Sequence, residues 1–306
     1  MSSPTPARKV LLIGATGSIG SIILQALITS PIPISVTILK HAGSTAPPPP
    51  NIPVITLSSY NAPISTLVPI LGGYDAIISC QTTFSVSSQL NLIDAAIQAG
   101  VKRFFPSEYG LNNMRDDTQA LCSVFKEKGT IQKYLRERED QIEWTSIACG
   151  TWLKWSFEHG FLGIDVKGKK TRYWDDGEGR FSINTEGLTA KAMVKAVTSH
   201  WEETRNRIVF LSEVVTSQRE IVEEVERQMG GKKFEVEKVD MEEEVKRLQE
   251  RFESGEKMAV VGLIEAGLVS GKFGTDFERE EEVMTEKLGL NKLTLEEMVA
   301  DALAGL

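Results

Sequence analysis

Cysteine and histidine are scarce, with three of each in 306 residues. Cys80, Cys122 and Cys149 are unpatterned and have no C-x-x-C spacing, which fits reduced thiols in an intracellular compartment. His41, His159 and His200 are too scattered to hold a metal, so no metal site is expected. Basic residues are outnumbered 34 to 42, for a net charge of −8. That balance excludes nucleic acid as the main partner, because a phosphate backbone needs clustered Lys and Arg. No apolar run approaches the roughly 20 residues that cross a bilayer, and the opening MSSPTPARK has no apolar leader core. The expectation is a soluble, cytoplasmic protein with no membrane partner; the oligomeric state is open, a homodimer included. One further absence is local: no Asp or Glu precedes Asp75. Up to residue 100 the ordinary charges are Arg8, Lys9, Lys40, Asp75 and Asp94, whereas 202–306 is crowded with Glu, Lys and Arg. The first part therefore reads as a buried sheet with apolar crossovers, the last as solvated amphipathic helices.

The chain is organised around Lys9 to Ile22, KVLLIGATGSIGSI. Val10 to Ile13 is a short continuous apolar run, as a strand buried on both faces would be. Gly14, Gly17 and Gly20 follow at a spacing of three, and then a buried helix through Ile22, Ile23, Leu24 and Leu27. The first glycine can turn out of the strand, the second lets a pyrophosphate approach the backbone, and the third lets the helix pack closely. The helix amides and dipole would face the phosphates. The spacing differs from Gly-x-Gly-x-x-Gly, but strand, glycines and helix come in the required order. The competing reading is an ordinary tight turn. We place a dinucleotide's phosphates against Gly14, Thr16, Gly17, Ser18, Ile19 and Gly20.

Ser35 to Leu39 reads as a second strand that ends at Lys40 and His41. A carboxylate about 20 residues beyond the glycines would bind the ribose hydroxyl of NAD, and a basic residue there accommodates the 2′-phosphate of NADP. With Lys40 at that position and no acid upstream, NADP(H) is the expected cofactor, with Lys40 and His41 in its site. The alternative is a solvated lysine at a strand end. Further strands are expected at Val54 to Leu57, Tyr74 to Cys80, Val101 to Phe105, Glu143 to Ala148 and Arg207 to Leu211, with helices at Ile64 to Leu71 and Gln89 to Ala99. Such alternation implies an α/β fold with a doubly wound, mainly parallel Rossmann-type sheet. Gln81, Thr82 and Ser107 follow strands at their carboxyl ends, where open parallel sheets bind ligands.

A helix expected over about Gln119 to Arg138 carries Leu121, Val124, Phe125, Ile131 and Leu135 on one arc, and Lys128 projects onto its middle. Lysine is rarely buried without cause. Lys128 either transfers protons from an apolar groove or snorkels or pairs with a carboxylate such as Glu108. Past the sixth strand, Trp152, Trp155, Phe157 and Phe161 either bracket a planar substrate or form a small core; Tyr109, Trp152 and Trp155 are the substrate candidates. Arg172 to Ile183 reads as a hairpin turning at Asp176 and Gly177. Gly187 to Val197 reads as helix and everything after Leu211 as helical, the last helix opening on a Thr294 and Glu297 capping box. We divide the chain into 1–152, a NADP-binding domain with a returning strand at 207–211, and 153–306, a smaller, mostly helical and mainly substrate-binding part.

Short-chain dehydrogenases pair a tyrosine with a lysine four residues on, and none of Tyr60, Tyr74, Tyr109, Tyr134 and Tyr173 has that lysine. Instead GATGSIG, the Gln89 to Ala95 stretch QLNLIDA, VKRFFPSEYG at Val101 to Gly110 and FKEK at Phe125 to Lys128 resemble one family. It is the isoflavone reductase, pinoresinol-lariciresinol reductase and phenylcoumaran benzylic ether reductase group of atypical short-chain dehydrogenases, related to NmrA-like proteins. The first half is covered well. Where the family carries Asn-Cys-Phe-Ala-Gly, this chain has Ala148, Cys149, Gly150, Thr151 and Trp152. The resemblance implies that Lys128 falls on the family's catalytic lysine and Lys40 near its 2′-phosphate contact. It implies an NADPH-dependent reductase of a small aromatic or conjugated secondary metabolite, with Lys128 as general acid or base. The alternative is an NmrA-like NADP-binding redox sensor without turnover.

Overall fold

Val10 to Ile13 are fully buried, as are Ile77 and Ile78 and the side chains of Phe104 and Phe105. Runs apolar on both faces suit strands covered by helices on either side. A computed structural model describes residues 8–306; the opening MSSPTPA, read above as lacking a leader, lies outside them. In chain order the first elements are β1 (Arg8–Ile13), α1 (Ser18–Ile28), β2 (Ile34–His41), β3 (Val54–Leu57), α2 (Ile64–Leu71) and β4 (Ala76–Ser79). A 3-10 segment at Thr83–Ser88 leads into α3 (Gln89–Gln98), β5 (Arg103–Phe105), α4 (Asp116–Leu121), α5 (Ser123–Arg136) and β6 (Glu143–Ala148). Then come β7 (Thr151–Trp152), α6 (Leu153–Glu158), β8 (Ile164–Asp165), β9 (Lys170–Trp174), β10 (Phe181–Asn184), α7 (Glu186–Val197) and β11 (Arg207–Phe210). The chain continues through β12 (Val214–Thr216), α8 (Gln218–Gln228), β13 (Glu235–Val239), α9 (Met241–Glu253), α10 (Ala259–Val269), α11 (Phe277–Glu280) and α12 (Leu295–Ala304).

Seven strands form one sheet in the order β11-β6-β5-β4-β1-β2-β3. β1 pairs in parallel with β2 on one side and β4 on the other, Ile13 lying opposite Leu39 and Ser79. The strand order reverses between β1 and β4, and ligands of open α/β sheets bind outside the carboxyl ends at such a switch point. The sheet is the expected mainly parallel Rossmann type, with strands where the sequence places them. Among its described residues the one fully buried charge is Arg103, which donates to Glu143 at 2.7 Å and to the Trp201 carbonyl at 2.6 Å.

Two compact units result. One comprises 8–108, 127–147 and 186–209 among the described residues, the other 109–126, 148–185 and 210–306. In the second unit, β12-β10-β7 and β13-β9-β8 form two small sheets beside a helical core that includes Phe157, Val225, Leu263 and Val299.

Three sequence expectations need correction. The helix drawn from Gln119 to Arg138 is broken, because Cys122 is extended at φ −156° and ψ 161° between α4 and α5. The hairpin at Arg172 to Ile183 does not form: β9 and β10 belong to different sheets, β9 pairing with β8 and β13, β10 with β7 and β12. The stretch after Leu211 is not wholly helical, since β12 and β13 are strands; an exposed edge strand such as Glu235–Val239 shows no buried face to read.

Candidate functional site

The turn from β1 into α1 is shaped by two steric facts. Gly14 has a φ of +78°, and a Cβ there would lie 2.2 Å from the carbonyl oxygen of Cys80; a Cβ on Gly20 would lie 2.0 Å from the carbonyl oxygen of Gly14. Both contacts are with backbone, which cannot swing aside. Gly17 sits at the N-cap of α1 with no side-chain cap, its N–H donating to Gly14 at 3.0 Å, and the first intrahelical bond runs from Ser21 to Gly17. The amides of Ser18, Ile19 and Gly20 in the first turn therefore have no partner within the helix, the arrangement that binds phosphate oxygens.

A cavity of about 540 Å³ opens at this turn. Of the residues singled out from sequence, Gly14, Thr16, Gly17, Lys40, His41, Gln81 and Thr82 line it. No carboxylate is among its described lining residues, and Lys40 contributes an ammonium. The lining thus brings together a glycine turn, the uncapped N-cap of α1 and the ammonium of Lys40 at the end of β2. Sequence reasoning missed its far wall: Gly43, Ser44, Ser59, Tyr60 and Asn61. The signal was the pairing of β3 beside β2, Lys40 opposite Thr56 and His41 opposite Leu57, which only the sheet order supplies. Asn91 holds that wall by donating to the carbonyls of Tyr60 at 3.0 Å and Ala62 at 2.8 Å. The Tyr60 phenol is pushed up by burial, against a hydrogen bond from the His41 backbone N–H that pulls it down.

Ser107 lies elsewhere: buried, its N–H donates to Gln89 Oε1 and its hydroxyl to the Gln81 carbonyl, both at 2.8 Å. The Gln81 amide in turn donates to Ser88 Oγ at 2.8 Å. These bonds hold the ends of β4 and β5 together. Lys128 does not line the cavity. It is half-buried on α5, and its Nζ donates to the backbone carbonyl of Glu108 at 2.6 Å, which fixes where the ammonium sits. Lys126 and Lys133 on the same helix are exposed.

The aromatic candidates fall into two groups within the second unit. Tyr109, at a φ of +51°, is tilted against Trp152 with ring centroids 6.4 Å apart. Trp155 instead stacks on His159 at 4.5 Å and meets the edge of Phe161 at 5.5 Å, and it packs against the helical core. Among the described residues no helix is long and apolar enough to cross a membrane.

With this geometry in place, the comparisons become informative. The oxidoreductase aprR of Aspergillus flavus is 30% identical over 299 residues, spanning 97% of this chain and 99% of that protein. A crystal structure of isoflavone reductase superposes with a TM-score of 0.76 at 22% identity, covering 97% of this chain and 99% of that one. The binary complex of leucoanthocyanidin reductase with NADPH from Vitis vinifera gives a TM-score of 0.77 at 18% identity, again over 97% and 99%. At those identities the two structures speak for the fold. The NmrA-like family model matches residues 6–298, nearly the whole sequence, and on that match the chain belongs to the NmrA-like family.

Proposed function

We propose that the protein is an NADPH-dependent reductase of a small aromatic or conjugated metabolite, with Lys128 as its general acid or base. The observation that carries this reading is the cavity beside β1, where the glycine turn, the uncapped start of α1 and Lys40 line one volume with no carboxylate among its described lining residues. The first-turn amides take the pyrophosphate, and Lys40 with His41 takes the 2′-phosphate. Gln81 and Thr82 position the remainder of the cofactor, with Ser107 behind them. The cofactor's part is to supply hydride. The protein's part is to hold the partners in register and to move one proton. Lys128 Nζ, held by the Glu108 carbonyl, takes a phenolic proton from the substrate when it is the free amine, becoming the ammonium, or as the ammonium gives one to the reduced product. Tyr109 and Trp152 take the substrate's aromatic ring, with Trp155 behind in the core. The name of the Aspergillus flavus relative, an oxidoreductase, supports the activity, and the NADPH in the leucoanthocyanidin reductase complex supports the cofactor.

The test is NADPH oxidation against a panel of phenolic and conjugated aromatic compounds, read by loss of reduced-nicotinamide absorbance. Turnover of at least one compound is the expected result. Tight NADPH binding with no turnover across the panel overturns the reductase and leaves a redox-sensing NADP-binding protein.

A further inference from the structure

The inference concerns His41 and rests on the reading that the cavity takes NADP(H). His41 ends β2, lines the cavity, and stands beside Tyr60 with ring centroids 5.6 Å apart. The N–H of Gly43 donates to His41 Nδ1 at 3.0 Å. An Nδ1 that accepts a hydrogen bond carries no proton, so the neutral ring must carry its proton on Nε2. Protonating Nδ1 would set two N–H groups against each other. The turn that makes this bond is itself fixed, since Ser44 N–H donates to the His41 carbonyl at 2.9 Å. Position 43 is also crowded by the ring: a Cβ there would meet Nδ1 at 3.1 Å and Cε1 at 3.2 Å.

We propose that His41 binds the cofactor's 2′-phosphate as a neutral donor through Nε2–H, locked in that tautomer by the Gly43 amide, and so selects NADPH over NADH independently of imidazole protonation. Lys40 supplies the charge and His41 a directed hydrogen bond. The groups facing His41 do not disturb this division. The Tyr60 phenol, pushed up by burial, and Lys40 line the cavity with His41, and no carboxylate lines it among the described residues. A hydrogen bond to a charged acceptor is worth roughly a factor of ten or more in affinity.

The experiment is fluorescence titration of the full-length protein with NADPH and with NADH, which needs no substrate. It is run from pH 7.0 to 8.5, above the second ionisation of a phosphate monoester near about 6. The expected wild-type preference for NADPH is flat across that range. His41→Phe, which keeps a ring but no donor, is expected to weaken NADPH about tenfold and to leave NADH unchanged. His41→Gln, which keeps an N–H, stays within about threefold of wild type and serves if the Phe variant does not fold. Nitrogen NMR of the imidazole rings, with the His41 signals assigned by their loss in His41→Gln, is expected to show Nδ1 bare and Nε2 protonated. An unchanged NADPH affinity in His41→Phe, an equal loss for NADPH and NADH, or a preference that declines with pH and vanishes in the variant each overturns the proposal. Failure of wild type to bind either nucleotide overturns instead the reading on which it rests.

Discussion

The three glycines of the β1 to α1 turn share a spacing but not a task. Gly14 and Gly20 are held by backbone contacts at 2.2 and 2.0 Å from a Cβ, whereas a Cβ on Gly17 meets its nearest atom, the Gly14 carbonyl oxygen, at an ordinary 3.4 Å. The first two serve packing; Gly17 is free of that constraint, and in the proposed reading it leaves room for the cofactor. Gly20→Ala should therefore lower thermal stability by about 1–3 kcal/mol, through overpacking against backbone. Gly17→Ala should leave the melting temperature unchanged and weaken NADPH binding, measured by thermal unfolding and titration on the same samples. Equal stability loss in both variants would contradict this split. The pattern of strand, glycines and helix was legible in sequence because each role follows from local sterics. The wall at Ser59 to Asn61 was not, because it depends on which strand pairs beside β2, nor was the Gly43 amide on His41, because it depends on the side-chain rotamer that the turn at Gly43 and Ser44 sets. The absence of carboxylates before Asp75 was legible, and it agrees with a cavity whose described lining carries none.

At the scale of elements, periodicity found the seven strands of the large sheet and failed where tertiary pairing decides. Buried runs such as Val10 to Ile13 declare themselves. Two-residue strands such as β7 and β8 carry no period, and β9 and β10 looked like a hairpin because Asp176 and Gly177 stand between them as a turn signal. The apolar stripe of Leu121, Val124 and Phe125 runs through the break at Cys122, since a stripe reports a face and not continuity of the helix. α10 holds a polar feature that no stripe shows: Glu265 is buried, accepts from Trp174 Nε1 at 2.7 Å and lies 3.5 Å from Arg172. Burial raises its carboxyl above the ordinary 4.5, outweighing the Trp174 and Arg172 interactions that lower it. A raised carboxyl favours the protonated form in the folded state, so the charged form costs stability. That cost sets in as pH climbs past 4.5 and is complete above the folded value. Glu265→Gln keeps an acceptor for Trp174 and removes the charge. It is expected to raise the melting temperature by roughly a few degrees at neutral pH and to flatten the decline in stability above the ordinary carboxylate range. A lower melting temperature at neutral pH would show that the pair with Arg172 outweighs desolvation.

For the whole molecule, the charge contrast along the sequence separated a sheet-rich beginning from a helix-rich end. It did not show that 109–126 belongs with the second unit or that 186–209 returns to the first. Those exchanges are long-range contacts, and composition is blind to them. Membership of the NmrA-like family follows from a match across nearly the full length, while the activity rests on chemistry that a few side chains carry. In the proposed reaction Lys128 is central, a half-buried amino group held by the Glu108 carbonyl on a helix whose other lysines, Lys126 and Lys133, are exposed. The most direct test is to compare wild type with Lys128→Ala, using whichever panel compound is turned over, and to measure kcat and the NADPH dissociation constant on the same preparations. The expected result is a fall in kcat of about 100-fold or more, the worth of a positioned proton donor or acceptor, with NADPH binding unchanged. A Lys128→Ala protein that retains full kcat would contradict the account.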